Sequence, residues 1–188
     1  MKSTFTSLTA LIFLIMFGFS SCSKEDLEGL MLTELSTVDS VSVYVNTGKA
    51  DLTPPVQIID FGNSVIQKHK NNLAYLNLDK ITYTLTDFKS SSAKVMVEGD
   101  LLFALSGSNL EKFIKIGTVK GVDLKEVAAY PDVEQTIAIE AVNLQTLNNY
   151  IKEGKKVSFM IYGHGDNPFE TNFNLKIKTL FTVNNLVE

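Results

Sequence analysis

Arginine is missing from the 188-residue sequence, in which all 17 basic side chains are lysines. Arginine's planar fork grips a phosphate or carboxylate through two parallel hydrogen bonds, so an anion site here has only lysine point charges to work with. Tryptophan is also absent, which removes the commonest stacking platform for sugars, although six tyrosines and twelve phenylalanines remain. Acidic residues outnumber lysines 21 to 17, for a net charge of −4. Losing Lys2 with a cleaved leader makes that 16 against 21, or −5. This balance speaks against a basic surface broad enough for nucleic acid. Cysteine occurs once, at Cys22, so no internal disulfide can form.

The amino-terminal residues explain where that cysteine stands. "MKSTFTS" carries one lysine, and "LTALIFLIMFGF" (8–19) is an almost unbroken apolar run. As a helix rising about 1.5 Å per residue it would be roughly 18 Å long, short of a hydrocarbon core of about 30 Å. A charged start, an apolar stretch of this length and small residues at its end (Ser20, Ser21) spell a secretory signal rather than a membrane-spanning helix.

"FSSC" (19–22) resembles the lipobox of bacterial lipoproteins, with Phe19 where that family usually has leucine. The resemblance implies that Cys22 becomes the first mature residue. It would carry a thioether-linked diacylglycerol and an amide-linked acyl chain such as palmitate. Two or more chains hold a protein firmly on a bilayer where one does so marginally. The residues that follow, Lys24, Glu25 and Asp26, resemble the surface-export signal of Bacteroidota lipoproteins. They imply an outer-membrane, lipid-anchored protein at the cell surface, with a periplasm-facing anchor as the alternative. Residues 1–21 then form the signal peptide and 22–40 the lipidated terminus and tether, with a turn or two of helix around Leu27–Leu35. Fully stretched, that tether lifts its cargo at most about 60 Å. Residues 41–188 form a single β-rich domain.

In that domain, strand signals dominate. "KITYTLT" (80–86) sets Ile81, Tyr83 and Leu85 against three threonines. "ETNFNLKIKTLFTV" (170–183) sets Phe173, Leu175, Ile177, Phe181 and Val183 against Asn172, Asn174, Lys176, Lys178 and Thr182. A period of two with one apolar face predicts antiparallel strands, half buried. Further strands are expected at 41–45, 94–105, 113–122, 133–142 and 155–163, with a bulge at Gly99 and the last two strands of the chain joined as a hairpin. Helical spacing appears at 63–76 and 143–154. About seven strands and two short helices predict a mainly β fold, an antiparallel sandwich or flattened barrel, with an α+β arrangement as the variant.

Chemistry is sparse. His69 lies on the polar side of a predicted helix, as a solvated residue. "YGHGDNPFE" (162–170) gathers His164, Asp166, Asn167 and Glu170, yet lacks calcium-loop spacing and a second histidine at metal-ligand distance. It reads as a turn, with Asp166 or Asn167 bonding its own backbone. Glu98 and Asp100 flank Gly99 on one side of a strand and would form an acid/base pair only in a shared cleft. No nucleophile elbow or phosphate cradle is present. The expected catalytic, cofactor and metal residues are therefore none.

The sequence thus predicts a non-catalytic, membrane-tethered module for an unidentified protein or glycan partner, with no nucleic acid bound. The alternative is a carrier for a hydrophobic ligand or lipid, and a hydrolase comes last. The interior discriminates the first two: a carrier needs an apolar cavity, whereas a surface-binding module is packed solid.

Overall fold

The computed structural model describes residues 31–47 and 56–185. Cys22 and the Lys24–Asp26 signal lie outside the described residues. The fold is mainly β: two antiparallel sheets face each other as a sandwich that does not close into a barrel. The strands are β1 (Leu32–Asn46), β2 (Val56–Asp60), β3 (Leu73–Lys89), β4 (Met96–Leu105), β5 (Ile114–Asp123), β6 (Gln135–Thr136), β7 (Ala138–Ile139), β8 (Lys156–Gly165) and β9 (Glu170–Asn184). The first sheet runs β1-β9-β3-β6 and the second β2-β8-β4-β5-β7.

β9 organises the first sheet because its alternation is unbroken. Thr171, Phe173, Leu175, Ile177, Thr179, Phe181 and Val183 are buried, and every residue between them is half-buried. Its neighbour β1 pairs with it over the whole length, from Leu32 opposite Asn184 to Asn46 opposite Glu170. On its other side β3 contributes Ile81, Tyr83 and Leu85 to the core, as their spacing predicts. Thr82, assigned to the wet face, is buried as well, because β6 pairs beside it and its hydroxyl donates to Glu134 Oε2 at 3.0 Å.

Several expectations are corrected. The tether predicted to reach residue 40 gives way to strand at Leu32, since β9 offers a partner ladder that far. The helix predicted over 63–76 is a 3₁₀ segment, Val65–Asn72, that stops where Leu73 joins the ladder with β9. β2 was not anticipated, and neither was the helix α1 (Leu124–Ala128) capped by Asp123. The helix predicted over 143–154 is α2 (Ala141–Lys152). The strand predicted over 133–142 splits into β6 and β7, which pair with different sheets and bury Ile137 between them. The closing hairpin is absent: β8 and β9 belong to opposite sheets, so the loop between them crosses the sandwich.

At one end the interior is filled. Phe61, Ile66, Phe103, Leu147, Ile151, Phe159 and Phe181 are all essentially inaccessible there. Tyr150 of α2 meets Phe103 edge-on at 6.1 Å, a favoured aromatic geometry. The opposite end is where β1 finishes and β9 begins, and it is not filled.

Candidate functional site

β4 and β8 run side by side with Val97 opposite Gly165, Gly99 opposite Gly163 and Leu101 opposite Ile161. Alternation turns these positions toward the facing sheet, as the burial of Val97 and Leu101 shows. At the middle pair both strands present glycine, so the second sheet has no side chain there. A cavity of about 260 Å³ occupies the space. Val45, Tyr83, Phe173 and Leu175 line it from the first sheet, Val97, Leu101, Val119 and Ile161 from the second, and Ile137 and Phe169 close its sides. Tyr44 and Tyr162, at 45% and 63% exposure, also line it and mark the mouth.

The glycine pair is a requirement of close approach as well as a source of space. A Cβ on Gly163 would sit 2.3 Å from the carbonyl oxygen of Glu98 and 2.5 Å from Gly99 Cα. The ladder between β4 and β5 slips between Val97 and Gly99, which is the irregularity that a glycine inside this strand predicts.

A polar cluster stands beside the mouth. Tyr44 Oη donates to Glu170 Oε2 at 3.1 Å, and Asn46 Nδ2 donates to the same oxygen at 3.2 Å. Lys89 Nζ lies 2.5 Å from Glu170 Oε1. That hydrogen bond, with the carboxylate's charge, raises the Lys89 ammonium above the ordinary lysine value.

Of the residues singled out in the sequence, Glu98, Asp100 and His164 also line the cavity, whereas His69, Asp166 and Asn167 do not. His164 is exposed and stands opposite Glu98 in the β4–β8 ladder. Asp166 does not bond its own loop: its Oδ1 accepts from the Met96 amide at 2.8 Å, and its amide donates to Met96 O at 3.0 Å. Asn167 Nδ2 donates to Lys94 O at 3.0 Å. Both side chains therefore pin the crossing loop to the approach of β4. His69 is half-buried, its ring 5.8 Å from Phe181, rather than solvated.

Asp100 is held in an ion-pair network apart from Glu98. Its Oδ1 lies 3.0 Å from Lys115 Nζ and accepts from Thr118 Oγ1 at 3.1 Å. Glu140 lies 2.9 Å from the same ammonium, and these two carboxylates, Glu140 foremost, raise the lysine above its ordinary value. Among the described residues, no three of histidine, cysteine, aspartate and glutamate converge as a metal site.

Sequence reasoning missed the cavity. Gly99 and Gly163 were read separately, as a bulge and as part of a turn, and only the pairing of their strands brings the two gaps together.

No family model matches the chain, and no curated protein matches it. A solved chain of Desmodium yellow mottle tymovirus is 8% identical, with a TM-score of 0.30 over 80% of this chain and 89% of that one. A likeness that low carries no argument about fold or function.

Proposed function

We propose that the protein is a lipid-anchored, non-catalytic carrier of a small apolar ligand, held between its two sheets. The observation that carries this reading is the cavity opposite the Gly99–Gly163 pair, whose walls are overwhelmingly aliphatic and aromatic. Ligand sites for drug-sized molecules run from about 300 to 1,000 Å³, and a dry apolar hole of about 150 Å³ already takes benzene. A volume of about 260 Å³ therefore suits a single ring with a short substituent or a short acyl chain, and is too small for an entire phospholipid. An apolar hollow of this kind favours ligand carriage over a solid module recognising a protein or glycan on its surface.

With an anchor at Cys22, the site would stand at the end of the domain away from the tether. β1 starts at Leu32, ten residues beyond that cysteine, so the tether reaches at most about 35 Å. The cavity lies at the far end of the 15-residue strand, about 45 Å from Leu32. A protein tethered by its amino terminus thus carries the mouth on the pole remote from its attachment, where it meets ligands arriving from the aqueous side.

Solvent extraction of the purified chain followed by mass spectrometry tests the carrier reading. A co-purifying small apolar molecule is expected from wild type and not from Ile161→Phe, which extends a ring into the void. Equal extracts from both proteins, or none from either together with no uptake of an added apolar dye, would refute it. Membrane fractionation of Cys22→Ser tests the anchor separately: the variant should move to the soluble fraction.

A further inference from the structure

We infer that Tyr83 is the recognition residue of this cavity, selecting neutral apolar ligands that carry one hydrogen-bond-accepting oxygen, as a ketone, aldehyde or ether does. The inference rests on the carrier reading and deepens it by naming the ligand class.

Tyr83 lies on β3, lines the cavity and is 2% exposed. Its ring is braced by Phe173 at 5.6 Å, with 48° between the planes. Burial alone pushes its phenol up to about 12, and no hydrogen bond enters that shift. Among the described residues, the buried side-chain polar atom shut off from both partner and solvent is Thr179 Oγ1. Tyr83 Oη makes no hydrogen bond to a described residue and is not sealed in that way, which leaves an accessible, unpartnered hydroxyl on a residue that lines the cavity.

A phenol placed so is a donor kept in reserve. Buried tyrosine hydroxyls ordinarily find a partner, and a phenylalanine would fill the same volume without desolvating a hydroxyl. The missing partner is supplied when a ligand oxygen enters. Because the phenol stays protonated at neutral pH, it donates, and it selects an acceptor. Lysine is not among the described lining residues, while the carboxylates of Glu98 and Asp100 are, so a ligand carboxylate would bring a like charge beside them into a largely apolar space, which is disfavoured. A neutral oxygen brings no such charge.

The test uses a matched pair of probes, propiophenone and propylbenzene, which are a ketone and a hydrocarbon of similar shape. Each is titrated into the purified full chain by calorimetry, in wild type and in Tyr83→Phe. Wild type should bind the ketone about five- to tenfold more tightly than the hydrocarbon, the value of one added hydrogen bond. Tyr83→Phe should lose that preference and keep its affinity for the hydrocarbon. As a second readout independent of the variant, the Cζ carbon resonance of Tyr83 in wild type should shift with the ketone and stay in place with the hydrocarbon. Equal affinities for both probes in both proteins would overturn the role of Tyr83 and leave the carrier reading intact. No binding of either probe to either protein would overturn both.

Discussion

The two ends of the sandwich are built from the same strands and differ in what those strands point inward. At the end under α2, β8 presents Val157 and Phe159, β9 presents Phe181, and the helix adds Leu147 and Ile151, all essentially inaccessible. At the end where β1 finishes, β8 presents Gly163 and Gly165 and β4 presents Gly99, and a cavity of about 260 Å³ takes the place of side chains. The ladder between β4 and β8 continues in register through both regions. Backbone pairing therefore does not require a filled interior: hydrogen bonds hold the sheets in register, side-chain volume decides solid or hollow, and the packed end supplies the rigidity that keeps the hollow open.

The largest expected effect breaks the packed end. Leu147→Ala should cost about 3–4 kcal/mol, since the site is fully buried and its surroundings relax only partly. For a domain of this size that lowers Tm by roughly 10 °C, measured by calorimetry. Ile161→Ala, at the cavity wall, should cost less than half as much, because its side chain already lacks partners on one side. Equal losses at the two positions would erase the contrast.

Next comes the boundary between the regions. Gly163→Ala puts a methyl 2.3 Å from the Glu98 carbonyl oxygen, a backbone atom fixed by the ladder, and should cost about 2 kcal/mol. Gly107→Ala, with φ of +85° and open space around it, should cost about 1 kcal/mol through backbone strain alone. Urea denaturation curves of the two variants separate crowding from strain, and the ranking reverses if β4 and β8 can part at the glycine pair.

The smallest effect lies at Asp39, an inward-facing residue of edge strand β1. It is half-buried and accepts a hydrogen bond from Ser64 Oγ at 3.1 Å. Burial raises its carboxyl above 3.8, and the Ser64 bond opposes that shift less strongly. The native state therefore holds this proton more tightly than the unfolded chain, so the charged form is a penalty at neutral pH that is relieved as pH falls. Asp39→Asn keeps an acceptor for Ser64 and should raise Tm modestly at pH 7. The gain should shrink as pH is lowered through the native pKa toward 3.8. A gain independent of pH would assign the effect to packing instead. An inward charge on an edge strand also discourages a second sheet from adding there.

Legibility followed locality. The inward and outward faces of β9 and the core positions of β3 could be read from alternation alone, because a strand with one buried face writes its pattern into consecutive residues. α2 was legible from Leu144, Leu147 and Ile151 at helical spacing. β2 was not, being five residues long just after Pro54 and Pro55. The 3₁₀ segment was misread as a longer helix because Leu73 and Leu76 fit a helical stripe, yet they gain more as ladder residues beside Val183 and Phe181. The candidate site was illegible for a different reason: Gly99 and Gly163 are 64 positions apart, and each alone has a local explanation.

What the sequence determined by itself is the class of fold and the faces of its long strands, through the two-residue period of apolar side chains. The resemblance of Cys22 and its neighbours to a lipoprotein leader supplies an expectation of address on the same local footing. Only the tertiary structure decided which strands stand side by side, that β8 and β9 part into different sheets, and that two glycines coincide to leave Tyr83 facing a void. The physical reason is that burial and strand pattern depend on neighbours along the chain. A cavity depends on volumes missing from several strands at once, and that sum exists only when the sheets have been assembled.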